Sequence, residues 1–142
     1  MSDFYLDTHS IAHLISATAM FLFEKLNAYQ QARLLVIPVY KLIEQFPDKE
    51  KFGLASQLRR AVTSVPSNIA EGVSRNAAKD QAHFIEIAYG SLMETFCQLK
   101  IAADLGYIKA EELKNIKENT EKVARLLSGL RASMLQKTDQ TN

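Results

Sequence analysis

The feature that most constrains this fold is a set of long segments in which apolar residues recur every three or four positions. That spacing places them on one face of an α-helix, whereas a half-buried strand requires alternation, which no segment shows. Only five Gly and three Pro occur among the 142 residues, so few positions interrupt a helix. The sequence therefore predicts an all-α single domain, an antiparallel up-and-down four-helix bundle.

The first predicted helix extends from Leu26 to about Phe46. Pro38 lies inside it and lacks a backbone donor, which predicts a kink or a break near Ile37. Its predicted core face is Tyr29, Val36, Tyr40 and Ile43.

The second predicted helix begins just beyond a short connection at Phe46–Glu50, bends at Pro66 and reaches the neighbourhood of Gly72. The third begins near Ala77 and ends at Gly106, because glycine readily adopts the left-handed conformation that closes a helix. A fourth helix follows Ile108. The predicted core faces of these three helices are, in order, Leu54, Leu58, Val62, Val65 and Ile69; Phe84, Ile87 or Ala88, Ser91, Leu92, Thr95, Leu99 and Ala102; and Leu113, Ile116, Val123, Leu127, Leu130 and Met134.

Residues 1–22 are predicted to form an N-terminal extension that either lengthens the first helix or adds a short one. Its apolar stretch, residues 11–23, is short and interrupted for a membrane span, and Asp3 and Asp7 are the wrong charge for a signal peptide. Residues 23–137 form the predicted bundle and residues 138–142 a frayed tail. Because the apolar stretch of residues 11–23 is too short and interrupted to span a membrane, we expect no membrane partner.

Polar residues form a second line at helical spacing on the second and third helices. Antiparallel pairing of these helices places Arg60 opposite Glu94, and we predict a half-buried structural ion pair, because a buried charge needs a partner. Breaking a fully buried pair costs about 3–5 kcal/mol, so Glu94→Leu is expected to destabilise the fold much more than Glu111→Leu. The predicted polar network is Arg60, Ser64, Asn68, Glu71, Ser91, Glu94 and Gln98.

Two runs of sequence carry a family resemblance. Residues 52–72 read FGLASQLRRAVTSVPSNIAEG, followed by Arg75. The second run contains Phe84, Ile87-Ala88, Gly90-Ser91-Leu92, Glu94, Gln98-Leu99 and Asp104-Leu105-Gly106-Tyr107-Ile108. Together they resemble the 23S rRNA intervening-sequence proteins, often labelled ribosomal protein S23-like, some of which are encoded inside insertions of bacterial 23S rRNA genes. The resemblance spans about Phe23 to Leu130.

The resemblance implies an antiparallel four-helix bundle that assembles as a ring-like homopentamer, with no catalytic residues and no cofactor. More remotely, the chain is similar to the accessory bundle protein of diversity-generating retroelements, a pentamer that binds nucleic acid and a reverse transcriptase. This chain departs from the family pattern in its first twenty or so residues and at Pro38. The expected partners are copies of itself, together with structured RNA or another protein.

A nucleic-acid role would depend on local clusters of positive charge, because the net charge is only +1. Seven basic and four acidic residues lie between Lys109 and Lys137, and assembly would multiply that modest excess. The alternative is an ordinary solvated helix face. The candidate nucleic-acid-binding residues are Arg59, Lys79, Lys114, Lys117, Lys122, Arg125 and Arg131.

Metal and enzyme chemistry find less support in the sequence. His9 with His13, and Asp80 with His83, have ligand-like spacing, but no second Glu-x-x-His pair completes a bundle metal site, so we expect no metal. Cys97, the only cysteine, cannot form an internal disulfide, which favours a reducing cytoplasm, and its position among core residues predicts a buried thiol. Three interpretations remain, in order: an oligomeric RNA-associated protein, a protein-binding adaptor, and an enzyme with no nominated catalytic residue.

Overall fold

The structure, a computed structural model, describes residues 21–139, with side chains up to residue 136. Four helices make up the bundle: α1 (Asn27–Ile43), α2 (Leu54–Val73), α3 (Ala78–Asp104) and α4 (Ala110–Asp139). Short 3-10 turns lie at Leu22–Lys25 and Asp48–Glu50. Within these residues no strand occurs and no helix has the length and apolar character of a membrane span. The predicted all-α four-helix fold is confirmed.

Each helix packs against its neighbours in the chain, and α1 also packs against α4, which closes the bundle. Contacts between early and late residues show that neighbouring helices are antiparallel. Gln57 of α2 meets Gln98 of α3, and Ser64 meets Ser91. Short connections between helices therefore give an up-and-down order.

The core is an apolar centre to which all four helices contribute. Leu58, Val62, Val65 and Ile69 of α2 are fully buried, as the sequence predicts, and Leu54 is half-buried at the end of the stripe. Complete burial of such a side chain is worth about 1.5–3 kcal/mol. The largest fully buried apolar residues of α3 and α4 are Ile85, Leu92, Leu99, Val123 and Leu127.

The core face of α1 differs from the predicted one. Tyr29, Val36 and Tyr40 are only half-buried, and they flank the core rather than fill it. Of the predicted residues only Ile43 is buried, and the core positions are instead filled by residues one position away from the predicted stripe, together with two alanines. The buried face of α1 consists of Ala28, Ala32, Leu35, Val39, Leu42 and Ile43.

The helices continue through both internal prolines. α1 includes Pro38, so the alternative of a break near Ile37 is wrong, whereas a kink at Pro38 stays a prediction. α2 includes Pro66, and its predicted bend also stays a prediction. Leu26 has extended backbone, with φ −77° and ψ 128°, so no helix runs continuously from Leu22–Lys25 into α1. Residues 1–20 and 140–142 lie outside the described residues, and the predicted domain boundaries stay predictions.

Gly106 closes α3 as predicted. Its φ is +79°, in the left-handed region. The Gly106 N–H donates to the Ala103 carbonyl (3.0 Å), and the Tyr107 N–H donates to the Ala102 carbonyl (2.9 Å). This pair of bonds is a Schellman motif, which satisfies the last carbonyls of the helix and turns the chain towards α4.

Glu112 connects the end of α1 to the start of α4. One carboxylate oxygen accepts a hydrogen bond from Gln45 Nε2 (2.7 Å), and the other accepts one from the Lys109 N–H (3.0 Å). The Gln45 bond, followed by the Lys109 backbone bond, lowers the pKa of the Glu112 carboxyl group. The ionised carboxylate therefore caps the first turn of α4.

Candidate functional site

A hydrogen-bonded group of small polar side chains lies between α2 and α3. The hydroxyls of Ser64 and Ser91 are 2.9 Å apart and hydrogen-bonded. Asn68 Nδ2 donates to the backbone carbonyl and to the hydroxyl of Ser64, both at 2.8 Å. These three of the predicted network residues are brought together, and their bonds fix the two helices relative to each other.

Glu71 lies outside this group. Its carboxylate forms an ion pair with Arg75, one turn further on, and the Arg75 guanidinium lies 4.7 Å from the centre of the Phe84 ring. Arg75 follows the family-like run of residues 52–72 but was not among the predicted site residues. The pair and the cation–π contact stabilise the turn from α2 into α3.

The ion pair predicted between Arg60 and Glu94 is absent from the described part of the chain. Both side chains are exposed, and both line one cleft between α2 and α3. Sequence spacing correctly predicted that Arg60 and Glu94 lie on facing helices, but the predicted contact is not formed. Both residues lie at the edge of the helix contact, where side chains point towards solvent. An exposed Glu94 also removes the basis for the large loss expected of Glu94→Leu.

Gln98 is the buried polar residue beside this cleft, only 7% exposed. Its Nε2 donates to a carboxylate oxygen of Glu94 (3.1 Å) and to Gln57 Oε1 (3.4 Å). Gln98 Oε1 is buried and has no hydrogen-bond partner within residues 21–136. The buried Gln98 amide thus orients the exposed Glu94 carboxylate through this hydrogen bond.

The α2–α3 cleft, as we name this feature, has a volume of about 210 Å³. A serine nucleophile requires an adjacent base, and the histidine nearest in sequence, His83, lies beside Glu86 at 4.0 Å instead. Within the described residues no group of three His, Cys, Asp or Glu side chains is placed to hold a metal ion, and His9 and His13 lie outside them. The cleft offers opposite charges and hydrogen-bonding groups, which suit binding. Its lining is Gln57, Arg60, Ala61, Ser64, Ser91 and Glu94.

The seven candidate nucleic-acid-binding residues do not gather into one patch. Arg59 is half-buried on α2, where it donates to the Lys51 carbonyl (3.4 Å), and Lys79 lies in the first turn of α3. The remaining five lie along α4, where two are engaged by carboxylates. Lys117 is 4.0 Å from Glu121, and Arg131 forms two 2.7 Å contacts with Glu86. Lys114, Lys122 and Arg125 are exposed without an acidic partner in the described residues.

The outward side of α3 is unusually apolar. Ile87 is 39% exposed and Ile101 is 43% exposed. We define the outer face of α3 as Ile87, Gly90, Glu94, Cys97 and Ile101, which follow one another at intervals of three and four. Met93 and Leu105 extend the exposed apolar surface on either side of it. Exposed large apolar side chains on one side of a helix can mark an interaction site.

This face was not predicted from the sequence, because only one core stripe was named on α3 and Ile87 and Ala88 were left as alternatives for one position in it. Ala88 occupies the core position and leaves Ile87 outside. Cys97 is exposed, so the predicted buried thiol is wrong. A signal was available in the sequence, because α3 has more apolar residues than one helix face can hold.

Most of the described chain matches the model of a known protein family. The family model of the 23S rRNA-intervening sequence protein matches residues 24–129. The chain belongs to this family. A solved structure of a protein of unknown function from the S23 ribosomal protein family of Bacteroides thetaiotaomicron is similar, with a TM-score of 0.67 and 21% identity over 73% of this chain and 97% of that one. No curated protein is a significant match.

Family membership accounts for the two runs of sequence that carried the resemblance. The matched range covers α1, α2 and α3, together with α4 up to Gly129, and so includes both the α2–α3 cleft and the outer face of α3. At 21% identity, the solved relative supports the fold alone. Neither family description names an activity.

Proposed function

We propose that this chain is a non-catalytic helical bundle that works by assembling with copies of itself through the outer face of α3. The observation that carries the proposal is the exposed apolar surface from Ile87 to Leu105, on a helix whose opposite side already lies in the core. Burial of apolar surface is the dominant driving force of protein association. The family resemblance adds the expectation of a ring of five copies.

The direct test is the mass of the assembly in solution, measured by light scattering or sedimentation at several protein concentrations. The wild-type chain is expected to have a multiple of its 16.0 kDa mass. Ile101→Lys is expected to dissociate it at the same concentration, because a charged ammonium group would be buried in the contact. The helix itself tolerates this change, since lysine has high helix propensity.

Ala132→Lys is a matched control, because it adds the same charge at an exposed position of α4. The reactivity of Cys97 gives a second readout: its thiol is exposed on the single chain and should react more slowly in the wild-type assembly than in Ile101→Lys. A wild-type chain that remains a single copy throughout would refute the proposal.

We also propose structured RNA as a partner of the assembly, a second function supported by Lys114, Lys122 and Arg125 on α4, which have no acidic partner among residues 21–136. The affinity of a single chain for phosphates would be weak, but assembly multiplies the number of neutralised charges. A protein partner is the alternative, and it would be favoured if no RNA binds at low salt.

The RNA prediction concerns the double variant Lys114→Glu, Arg125→Glu. It is expected to weaken binding of structured RNA by about tenfold or more and to flatten the dependence of affinity on salt, because two phosphate contacts per chain are lost. The control is Arg33→Glu with Lys41→Glu on α1, which changes the net charge equally. Equal losses in both double variants would show that only total charge matters, and would remove the α4 site.

A further inference from the structure

The outer face of α3 contains one charge, Glu94, at its centre. Ile87 lies seven residues before it and Ile101 seven residues after it, and Gly90 and Cys97 complete the three-and-four spacing. This is the heptad pattern of a helix seam that packs against another helix, with Glu94 at a central core position. A polar residue at such a position lowers stability but specifies the register and the partner.

Glu94 is held in place rather than free to turn away. The buried Gln98 amide donates to one of its carboxylate oxygens at 3.1 Å and is itself bonded to Gln57. An uncompensated carboxylate in a closed helix contact would cost more than the contact gains, so whatever covers this face must supply a cation.

A cation is present on the neighbouring helix of the same chain. Arg60 lines the α2–α3 cleft together with Glu94, yet the two form no ion pair within the described residues. The cleft thus presents a positive side from α2 and a negative side from α3. Consider a closed symmetric assembly whose rotation axis passes in front of the cleft. In such an assembly, α2 of each copy lies opposite α3 of the neighbouring copy. Arg60 of one copy then meets Glu94 of its neighbour, in a two-fold dimer or in a larger ring.

We propose that Arg60 of one copy pairs with Glu94 of the next copy and that this pair specifies how the copies fit together. The inference rests on the proposed self-assembly and adds the residues that select the partner. The occupant of the face is a second copy rather than RNA, because Glu94 at the centre would repel phosphates. The pairing of unlike charges rejects other orientations and other apolar helices.

The test uses two full-length charge reversals, Arg60→Glu and Glu94→Arg. Each alone places like charges together at every contact, and each is expected to weaken assembly by about tenfold or more in the mass measurement. Mixed in equal amounts, the two variants present unlike charges to each other. A tagged Arg60→Glu chain is therefore expected to capture Glu94→Arg chains at concentrations where each variant alone assembles poorly. Pairing within one chain cannot produce this rescue.

Arg33→Glu on α1 and Glu118→Arg on α4 are matched reversals at exposed positions away from the cleft, and they should assemble like the wild type. Circular dichroism of every variant verifies that the helices remain folded. If the wild type assembles but the mixture gives no rescue, or if the single reversals assemble normally, the cross-copy pair is refuted and self-assembly stands. A wild-type chain that stays single refutes both.

Discussion

Replacing Leu92 by alanine is expected to lower the free energy of unfolding by about 2–5 kcal/mol. Leu92 is completely buried in the middle of α3. The neighbouring helices are each packed in the bundle, so they cannot move far enough to fill the cavity that the smaller alanine side chain would leave. The measurement is urea unfolding followed by circular dichroism, at a concentration where wild type and variant have the same oligomeric state. The midpoint should fall while the slope is unchanged.

Leu22→Ala is the matched control, because the same atoms are removed from a side chain that is 67% exposed. It should change stability by less than about 0.5 kcal/mol. Equal losses for the two leucines would mean that the packing described for the centre of α3 is wrong.

Gly72→Val is expected to destabilise the bundle by about 1–3 kcal/mol, through overpacking. Even a methyl group at Gly72 would lie 3.0 Å from Phe84 Cβ and 3.1 Å from the Gln81 carbonyl oxygen. Both atoms are fixed to the α3 backbone, so α2 and α3 would have to separate at the end where their turn holds them together. Thermal unfolding gives the size of the loss.

Gly129→Ala is the control with the opposite sign. Gly129 is also helical, but a Cβ there meets no atom within 4 Å. Removing glycine from an open helix position stabilises by about 0.5–1 kcal/mol. A Gly72→Val protein as stable as the wild type would contradict the close approach of α2 and α3.

The fold was predictable because the sequence of each helix carries local signals of helical structure. The stripe from Leu58 to Ile69 and the glycine that ends α3 both report short-range physics, namely helical periodicity and left-handed backbone. Of the two outcomes predicted at Pro38, the break did not occur, since loss of one hydrogen bond in a packed helix is tolerated when burial elsewhere on the helix compensates. The buried face of α1 was predicted only at Ile43, because apolar residues lie on several sides of this helix and periodicity alone does not choose between neighbouring stripes.

The candidate site was predictable only in part. Helical spacing brought Ser64, Asn68 and Ser91 to one helix contact, but it could not decide whether Arg60 reaches Glu94, because that depends on the rotation of each helix about its axis. The exposed side of α3 was lost for a related reason. A residue such as Ile87 or Cys97 becomes an outer residue only once the inner positions are occupied by others.

The two apolar sides of α3 also bear on how freely this sequence can vary. On α4, exposed Lys and Glu residues alternate over the surface and accept many exchanges without effect on packing. On α3, inner positions such as Leu92 are constrained by packing in the core, and outer positions such as Ile101 are constrained by packing against the copy proposed to cover them. Few positions of α3 are left for neutral drift, so it should accumulate changes more slowly than the helix that follows it.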